Sequence, residues 1–253
     1  MMNRGSITET ECIALCQECC QITGMDFSGD VHEFVGIVND NIHSFHFKVS
    51  RGKREDTGET VYALASLASN DLNRFVVGGD FSQVELEFFR RTLELIVHAD
   101  EPPNVGIVSS INLLNMANSL SPKMSKADAK KFLSQLVKDK WLLDTDGMIS
   151  MAPRCILELE QYLTSAYTGL VLTCYMCSSV VFQGQSCVQC NVKLHNECAK
   201  KYFSEKSVMK CMSCGARWEF MQQSGSNGHV SNVSSHGSKS TKSTRRSRLT
   251  LND

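Results

Sequence analysis

The sequence predicts a mostly α fold with small β elements, arranged as two tandem winged-helix units followed by a small metal-held finger. Three observations predict it. Apolar residues recur at helical spacing in two successive stretches, and each stretch runs into a pair of extended segments joined by a polar turn. Seven of the twelve cysteines fall between Cys174 and Cys214, a clustering that argues for metal rather than a disulfide framework. After Phe220 the composition collapses to Ser, Gly, Asn, Lys and Arg, which leaves little to bury and predicts a disordered tail over 222–253.

The first unit is assigned to residues 1–80. Residues 8–22 read as a cysteine-rich helix, with Cys12, Cys16, Cys19 and Cys20 at helical spacing as buried or half-buried thiols. A second helix from Asp30 to Phe45 carries Phe34, Ile37, Val38, Asn41 and Ile42 on one face. Phe45–Val49 and Thr60–Ala65 are extended runs joined by the polar stretch RGKREDTGE, a hairpin with a long tip. His43 and His46 have no ligand partners at suitable spacing and are read as structural. This unit is short for its type and shows no opening helix.

The second unit, residues 81–169, repeats the pattern more fully. Val84, Phe88, Phe89, Leu93, Ile96 and Val97 form an apolar stripe on a helix of about four turns, which Pro102-Pro103 stops. Ser109 or Ser110 caps a short helix carrying Ile111, Leu114 and Ala117. Ser125-x-x-Asp128 resembles a capping box and opens a helix with Ala129, Phe132, Leu133, Leu136 and Val137 inward. Trp141-Leu142-Leu143 and Met148–Met151 form a hairpin about Asp146-Gly147, with Trp141 anchoring the core. Pro153 suits the first turn of a last helix bearing Ile156, Leu159 and Leu163. Cys155 is assigned to the core.

Charge narrows the function. Residues 1–169 carry 15 Lys/Arg and 23 Asp/Glu, a net of −8. Phosphate backbones demand a basic face, so the front of the chain is a poor nucleic-acid binder, and a wing tip reading Asp144-Thr145-Asp146 suits a protein partner better. No run of 18 apolar residues exists to span a membrane. The opening MMNRGSITET lacks the apolar region of a secretory signal. The expectation is a soluble intracellular chain.

The finger, residues 170–221, holds the pattern Cys174-x2-Cys177-x9-Cys187-x2-Cys190-x4-His195-x2-Cys198-x12-Cys211-x2-Cys214. These are eight donors in four pairs, each pair able to converge on one tetrahedral ion. Thiolate and imidazole donors suit zinc. Eight donors make two closed four-coordinate sites, which are structural rather than catalytic. The pairs can be shared sequentially or interleaved. The ligand order and loop lengths resemble those of RING-variant and PHD fingers, which interleave. The resemblance therefore implies a cross-braced two-zinc RING-like finger, with Cys174, Cys177, His195 and Cys198 on one ion and Cys187, Cys190, Cys211 and Cys214 on the other. Trp218 is expected to pack against it.

A PHD finger commonly places an aromatic residue two positions before the seventh ligand, and Met209 stands there. A RING finger commonly has an aliphatic residue between its first two ligands and a proline after the seventh, and Met176 and Met212 stand there. These positions, with Val181, are the candidate groove for a ubiquitin-conjugating enzyme. Gly215 follows the last ligand, where many active RING fingers place a charge, and Arg217 lies two residues on. The pattern is that of a RING variant with weak activity alone.

The finger stretch CYMCSSVVFQGQSCVQCNVKLHNECAKKYF, the preceding ILELEQYL helix, the KDKWLL strand and the ETVYALASLA run together resemble the family of non-structural maintenance of chromosomes element 1, a subunit of the complex built on structural maintenance of chromosomes proteins five and six. The resemblance covers residues 10–220. It implies tandem winged helices that pair with a MAGE-type subunit, assembly with other subunits of that complex, and a RING-like ubiquitin ligase assisted by the MAGE partner. It also implies nuclear, chromosome-associated localisation, a role in recombinational DNA repair, and DNA contact that is weak or indirect. Two other classes stand beside this one: a non-catalytic architectural or chromatin-reading PHD-like module, and a winged-helix DNA-binding regulator, which the −8 charge opposes. The segment Lys239–Arg248 reads as a nuclear import signal, a weak nucleic-acid contact or a solubilising tail.

Overall fold

A three-residue strand, β1 (Ser6–Thr8), opens the chain, and its last residue caps the first helix. The computed structural model describes residues 5–67, 71–77, 80–101, 104–204 and 208–219; the tail with its basic Lys239–Arg248 segment lies outside them. Thr8 and Glu11 form a reciprocal capping box at the start of α1 (Glu9–Thr23), with hydrogen bonds of 2.8 and 3.2 Å. Cys12, Cys16 and Cys20, four residues apart, form its buried stripe, while Cys19 is exposed.

Asp30 caps α2 (Val31–Ile42). Phe34, Val35, Val38 and Ile42 pack toward Ile7, Cys12, Cys16, Val49 and Tyr62. Ile37, read from the sequence as part of that face, is 58% exposed. A 3₁₀ turn (His43–Phe45) leads into β2 (Phe47–Lys53), which pairs antiparallel with β3 (Thr60–Ser66) from Phe47↔Ser66 to Lys53↔Thr60. The hairpin strands run longer than the sequence suggested, so the tip shrinks to Arg54–Glu59. β1 joins the far edge of β3, giving the order β1-β3-β2. The Asn39 amide clips α2 to this sheet by donating to the Val49 carbonyl (3.0 Å) and accepting from its N–H (2.7 Å).

The middle of the chain gathers the largest core. A short α3 (Arg74–Val77) precedes α4 (Gln83–Val97), which opens on a Ser82–Glu85 capping box. After β4 (Val108–Ser109) come α5 (Ser110–Met116) and α6 (Lys126–Lys138), then β5 (Leu142–Thr145) and β6 (Met148–Met151), then α7 (Pro153–Ala166). The strands form a sheet of order β4-β6-β5. The helices expected here are present. α5 buries Leu113 rather than Ile111, which is 66% exposed. Phe75, Phe81, Phe88, Phe89, Phe132 and Trp141 meet edge-on or stacked; Phe75–Trp141 and Phe81–Phe132 centroids are both 5.0 Å apart. The Arg154 guanidinium lies 4.2 Å from the Trp141 ring centroid. Leu72 and Phe75, assigned by the sequence to the first unit, belong to this core.

α7 connects the parts. One face fills the middle core with Cys155, Ile156, Leu159 and Leu163, and the helix also packs on β2 and β3. There Gly52 lets Leu157 sit so close that an added Cβ would lie 3.0 Å from its side chain. Among the described residues, no helix is long and apolar enough to cross a membrane.

Candidate metal centre

Three of the four C-x2-C or H-x2-C pairs fold into one local design. In each, the first cysteine N–H donates to the carbonyl five residues on, and the N–H four residues on donates back to the cysteine carbonyl. The pairs are Cys174 N–Ser179 O (2.8 Å) with Ser178 N–Cys174 O (2.7 Å), Cys187 N–Val192 O (2.9 Å) with Asn191 N–Cys187 O (2.9 Å), and Cys211 N–Ala216 O (2.8 Å) with Gly215 N–Cys211 O (3.0 Å). The residue that closes each turn is left-handed: Ser178 (φ 61°), Asn191 (φ 57°) and Gly215 (φ 72°). Gly215 therefore sits where backbone geometry favours glycine. His195 and Cys198 form the fourth pair, His195 ending β10 (Lys193–His195) and Cys198 lying in the first turn of α8 (Asn196–Phe203).

These turns bring the eight donors together in the interleaved arrangement. The donor atoms of Cys174, Cys177, His195 and Cys198 all lie within 4.8 Å of one another, and so do those of Cys187, Cys190, Cys211 and Cys214. His195 points Nδ1 inward, 3.4 Å from Cys177 Sγ and 3.9 Å from Cys198 Sγ. In the second cluster Cys187–Cys214 and Cys190–Cys211 Sγ atoms are each 3.6 Å apart. A tetrahedron built on a Zn–S bond of about 2.3 Å has an edge of about 3.8 Å, so both cradles fit zinc. Each set is complete at four donors, which leaves no position for a reacting water.

The donor electrostatics call for a cation. Burial opposes ionisation of Cys174, but His195 and the N–H groups of Cys177 and Met176 outweigh it and hold the thiol below its usual range. The N–H of Gln189, then that of Cys190, does the same for Cys187. Cys198 is pushed up by burial and by the charge of Cys174 and Cys177. Thiolates this close cannot all ionise alone, and a divalent ion removes that conflict.

The rest of the finger braces these cradles. β9 (Gly184–Ser186) pairs with β10, and β7 (Leu172–Thr173) pairs with β8 (Val180–Val181). Leu194, Ala199, Phe203 and Trp218 complete its core, with the Phe203 and Trp218 rings 5.3 Å apart. Of the three groove candidates, Met176 is 41% exposed and Met212 is partly buried against the finger core. Val181 is only 1% exposed; it belongs to the finger interior and cannot line a surface groove.

One residue at the site has no sequence signal. Glu55, on the β2–β3 tip, reaches the finger with its side chain 4% exposed. Its carboxylate accepts from the N–H groups of Phe182 (2.7 Å) and Gln183 (3.2 Å) and lies 3.5 Å from His195 Nε2. Burial pushes its pKa up to about 7, against the pull of these amides, His195 and Lys193. Isolated in the string RGKREDTGE, it reads as a solvated turn residue; only the docked finger buries it.

Comparison with known proteins agrees with this geometry. A family model described as "Nse1 non-SMC component of SMC5-6 complex" matches residues 1–159, and one described as "RING-like domain" matches residues 174–214. The non-structural maintenance of chromosomes element 1 homolog of Xenopus laevis is 34% identical over 220 residues, covering 86% of this chain and 79% of the relative. The human homolog is 33% identical, with 86% and 80% covered. The Schizosaccharomyces pombe protein is 22% identical over 189 residues, with 74% and 77% covered. A chain from a solved structure titled "Nse1-Nse3-Nse4 complex" superposes with a TM-score of 0.77 at 33% identity, covering 87% of this chain and 94% of that one. The match runs through the helical front and the finger alike, and this chain belongs to the Nse1 family of non-SMC components of the SMC5-6 complex, with a RING-like domain whose donors fit two zinc ions.

Proposed function

We propose that the protein is the RING-type ubiquitin ligase subunit of a chromosome-maintenance complex acting in the nucleus in DNA repair by homologous recombination. Residues 1–80 and 81–169 are its two winged-helix units, residues 170–221 its finger and 222–253 its tail. The observation that carries the reading is the interleaved pair of closed four-donor sites in a member of this family. Such a finger does no covalent chemistry. It works by holding a charged ubiquitin-conjugating enzyme in a reactive geometry, which is catalysis by positioning. Met176 and Met212 are the docking positions, apolar and adaptable. The solved relative is titled as a complex with Nse3 and Nse4, and a MAGE-type Nse3 and an Nse4 are the proposed partners here. The acidic front of the chain favours protein partners over direct DNA contact.

A second reading, an architectural PHD-like module without ligase activity, is favoured by Met212 in place of the usual proline and by the finger's burial against the rest of the chain. Reconstituted ubiquitin chain formation separates the two. The assay contains activating enzyme, a panel of conjugating enzymes and zinc-loaded protein, with and without the MAGE-type subunit. The ligase reading expects chains that the partner increases, that Cys190→Ala abolishes, and that Met176→Ala reduces about tenfold, the loss of about 1.4 kcal/mol expected of a truncated apolar anchor. No chains in any arm, with both zinc ions retained, supports the architectural reading.

A further inference from the structure

His195 differs from the other seven donors. A cysteine can swing its sulfur, but an imidazole must present one nitrogen along one direction and keep its proton on the other. The group that faces the free nitrogen fixes both. Two oxygens face His195 Nε2. One is the Val180 carbonyl at 3.1 Å, from the finger's own β8. The other is Glu55 Oε1 at 3.5 Å, from a hairpin at the opposite end of the chain.

The Glu55 carboxylate is committed to this position. Among the described residues, every hydrogen-bond and ion-pair partner of Glu55 belongs to the finger: Phe182 N–H, Gln183 N–H and His195. Lys193, half-buried, donates to the Phe182 carbonyl at 2.9 Å and places a positive charge beside the carboxylate. The hairpin is seated closely, for a Cβ on Gly58 would lie 2.5 Å from Glu197 Cγ on α8. A buried carboxylate without such partners would be costly. Its neighbours on the tip, Arg54 and Asp56, pair with each other instead (2.7 Å). The second cluster has no counterpart, since all four of its donors are thiols.

We propose that Glu55 is an outer-shell member of the Cys174–Cys177–His195–Cys198 metal site, supplied by the N-terminal hairpin, so that metal retention at this site depends on the hairpin being docked while retention at the all-cysteine site does not. Glu55 is a positioning residue: its charge reinforces the tautomer and ring orientation that the Val180 carbonyl sets, without touching the ion. The inference rests on zinc occupancy of the finger and is independent of ligase activity.

Metal release from the full-length protein tests it. Zinc transfer to a chelating indicator such as 4-(2-pyridylazo)resorcinol is followed for the unsubstituted protein, Glu55→Gln, Glu55→Ala and Asp56→Asn. Glu55→Gln keeps the side-chain shape and an acceptor for the Phe182 N–H while removing the charge. Loss of an outer-shell partner typically costs 10–100-fold in metal affinity. One of the two zinc ions should therefore leave Glu55→Gln about 10–100 times faster, with the second unchanged and both unchanged in Asp56→Asn. With ¹¹³Cd in both sites, Glu55→Gln should move the resonance of the three-cysteine, one-histidine site and leave the four-cysteine resonance in place. Release of both ions at the original rates from Glu55→Gln would overturn the proposal. So would equal acceleration of both, which marks a general loosening of the fold. Glu55→Ala should be at least as labile as Glu55→Gln; if it does not fold, the glutamine variant and the cadmium spectrum decide alone.

Discussion

Gly106 lies closely against the finger backbone, and Gly106→Ala should push the middle of the chain and the finger apart. Gly106 has φ +72°, and a Cβ built there would lie 2.9 Å from the Phe182 carbonyl carbon, 3.0 Å from its oxygen and 3.1 Å from Gln183 Cγ. Two costs combine. A left-handed residue with a Cβ costs roughly 1–2 kcal/mol. Driving a methyl into packed backbone costs roughly 1–3 kcal/mol more, because here the atoms in the way are main chain held by Glu55. Gly169 separates the two: its φ is +83°, and an added Cβ meets nothing within 4 Å. Gly169→Ala should therefore show the conformational cost alone. Thermal unfolding of both variants in zinc-containing buffer, with zinc content measured in parallel, gives the difference. For a chain of this size, roughly 2–4 °C of Tm corresponds to 1 kcal/mol, so Gly106→Ala should melt roughly 2–12 °C below Gly169→Ala, with two zinc ions retained in each. Equal melting temperatures for the two variants would refute the close approach of finger and middle segment.

Cys187→Ser removes one donor from a closed four-thiol set, and structural zinc contributes roughly 10–16 kcal/mol to small fingers; zinc content should fall below two per chain, and an unchanged content of two would refute the ligand assignment. Burial, and then Cys16, pushes the Cys12 thiol up to about 12, and burial pushes Cys155 up as well. At pH 8 the thiolate fraction of Cys12 is then about three orders of magnitude below that of an ordinary thiol. Iodoacetamide mapped by mass spectrometry should label exposed Cys19 while Cys12 and Cys155 stay unmodified, and equal labelling of Cys12 and Cys19 would show that the cysteine stripe of α1 is not packed as described.

What could be read in the sequence follows from the range of the forces that fix each feature. α1, α2, α4, α6 and α7 carry their own caps or apolar stripes, so local pattern is enough. The metal donors were legible because a tetrahedral ion imposes spacing on the chain itself. β1 and α3, at three and four residues, are too short to show a period. Leu72 and Phe75 look like the end of the first unit and are held in the core of the second by contacts with distant aromatic rings. Ile37 lies three residues after Phe34 and is nonetheless exposed, because the packed face of α2 is centred on Phe34, Val35, Val38 and Ile42 and Ile37 falls to one side of it. Glu55 was invisible for the same reason in reverse: its local string is polar, and its surroundings come from residues more than 120 positions away.

Val180-Val181-Phe182 shows why the finger is not an appended module. Side chains of an extended segment alternate between two faces. Val180 and Phe182 point into the middle core, and Val181 points into the finger core. Two of the three also give polar groups to the metal site and the hairpin: the Val180 carbonyl faces His195 Nε2, and the Phe182 N–H binds Glu55. A segment buried on both faces cannot shift without disturbing both cores, and its backbone cannot be freed without exposing Glu55 and His195. The sequence reading groups Val181 with Met176 and Met212 in a surface groove. Its burial in the finger core gives it the opposite role. A finger held in this way is packed as part of the whole chain rather than tethered to it.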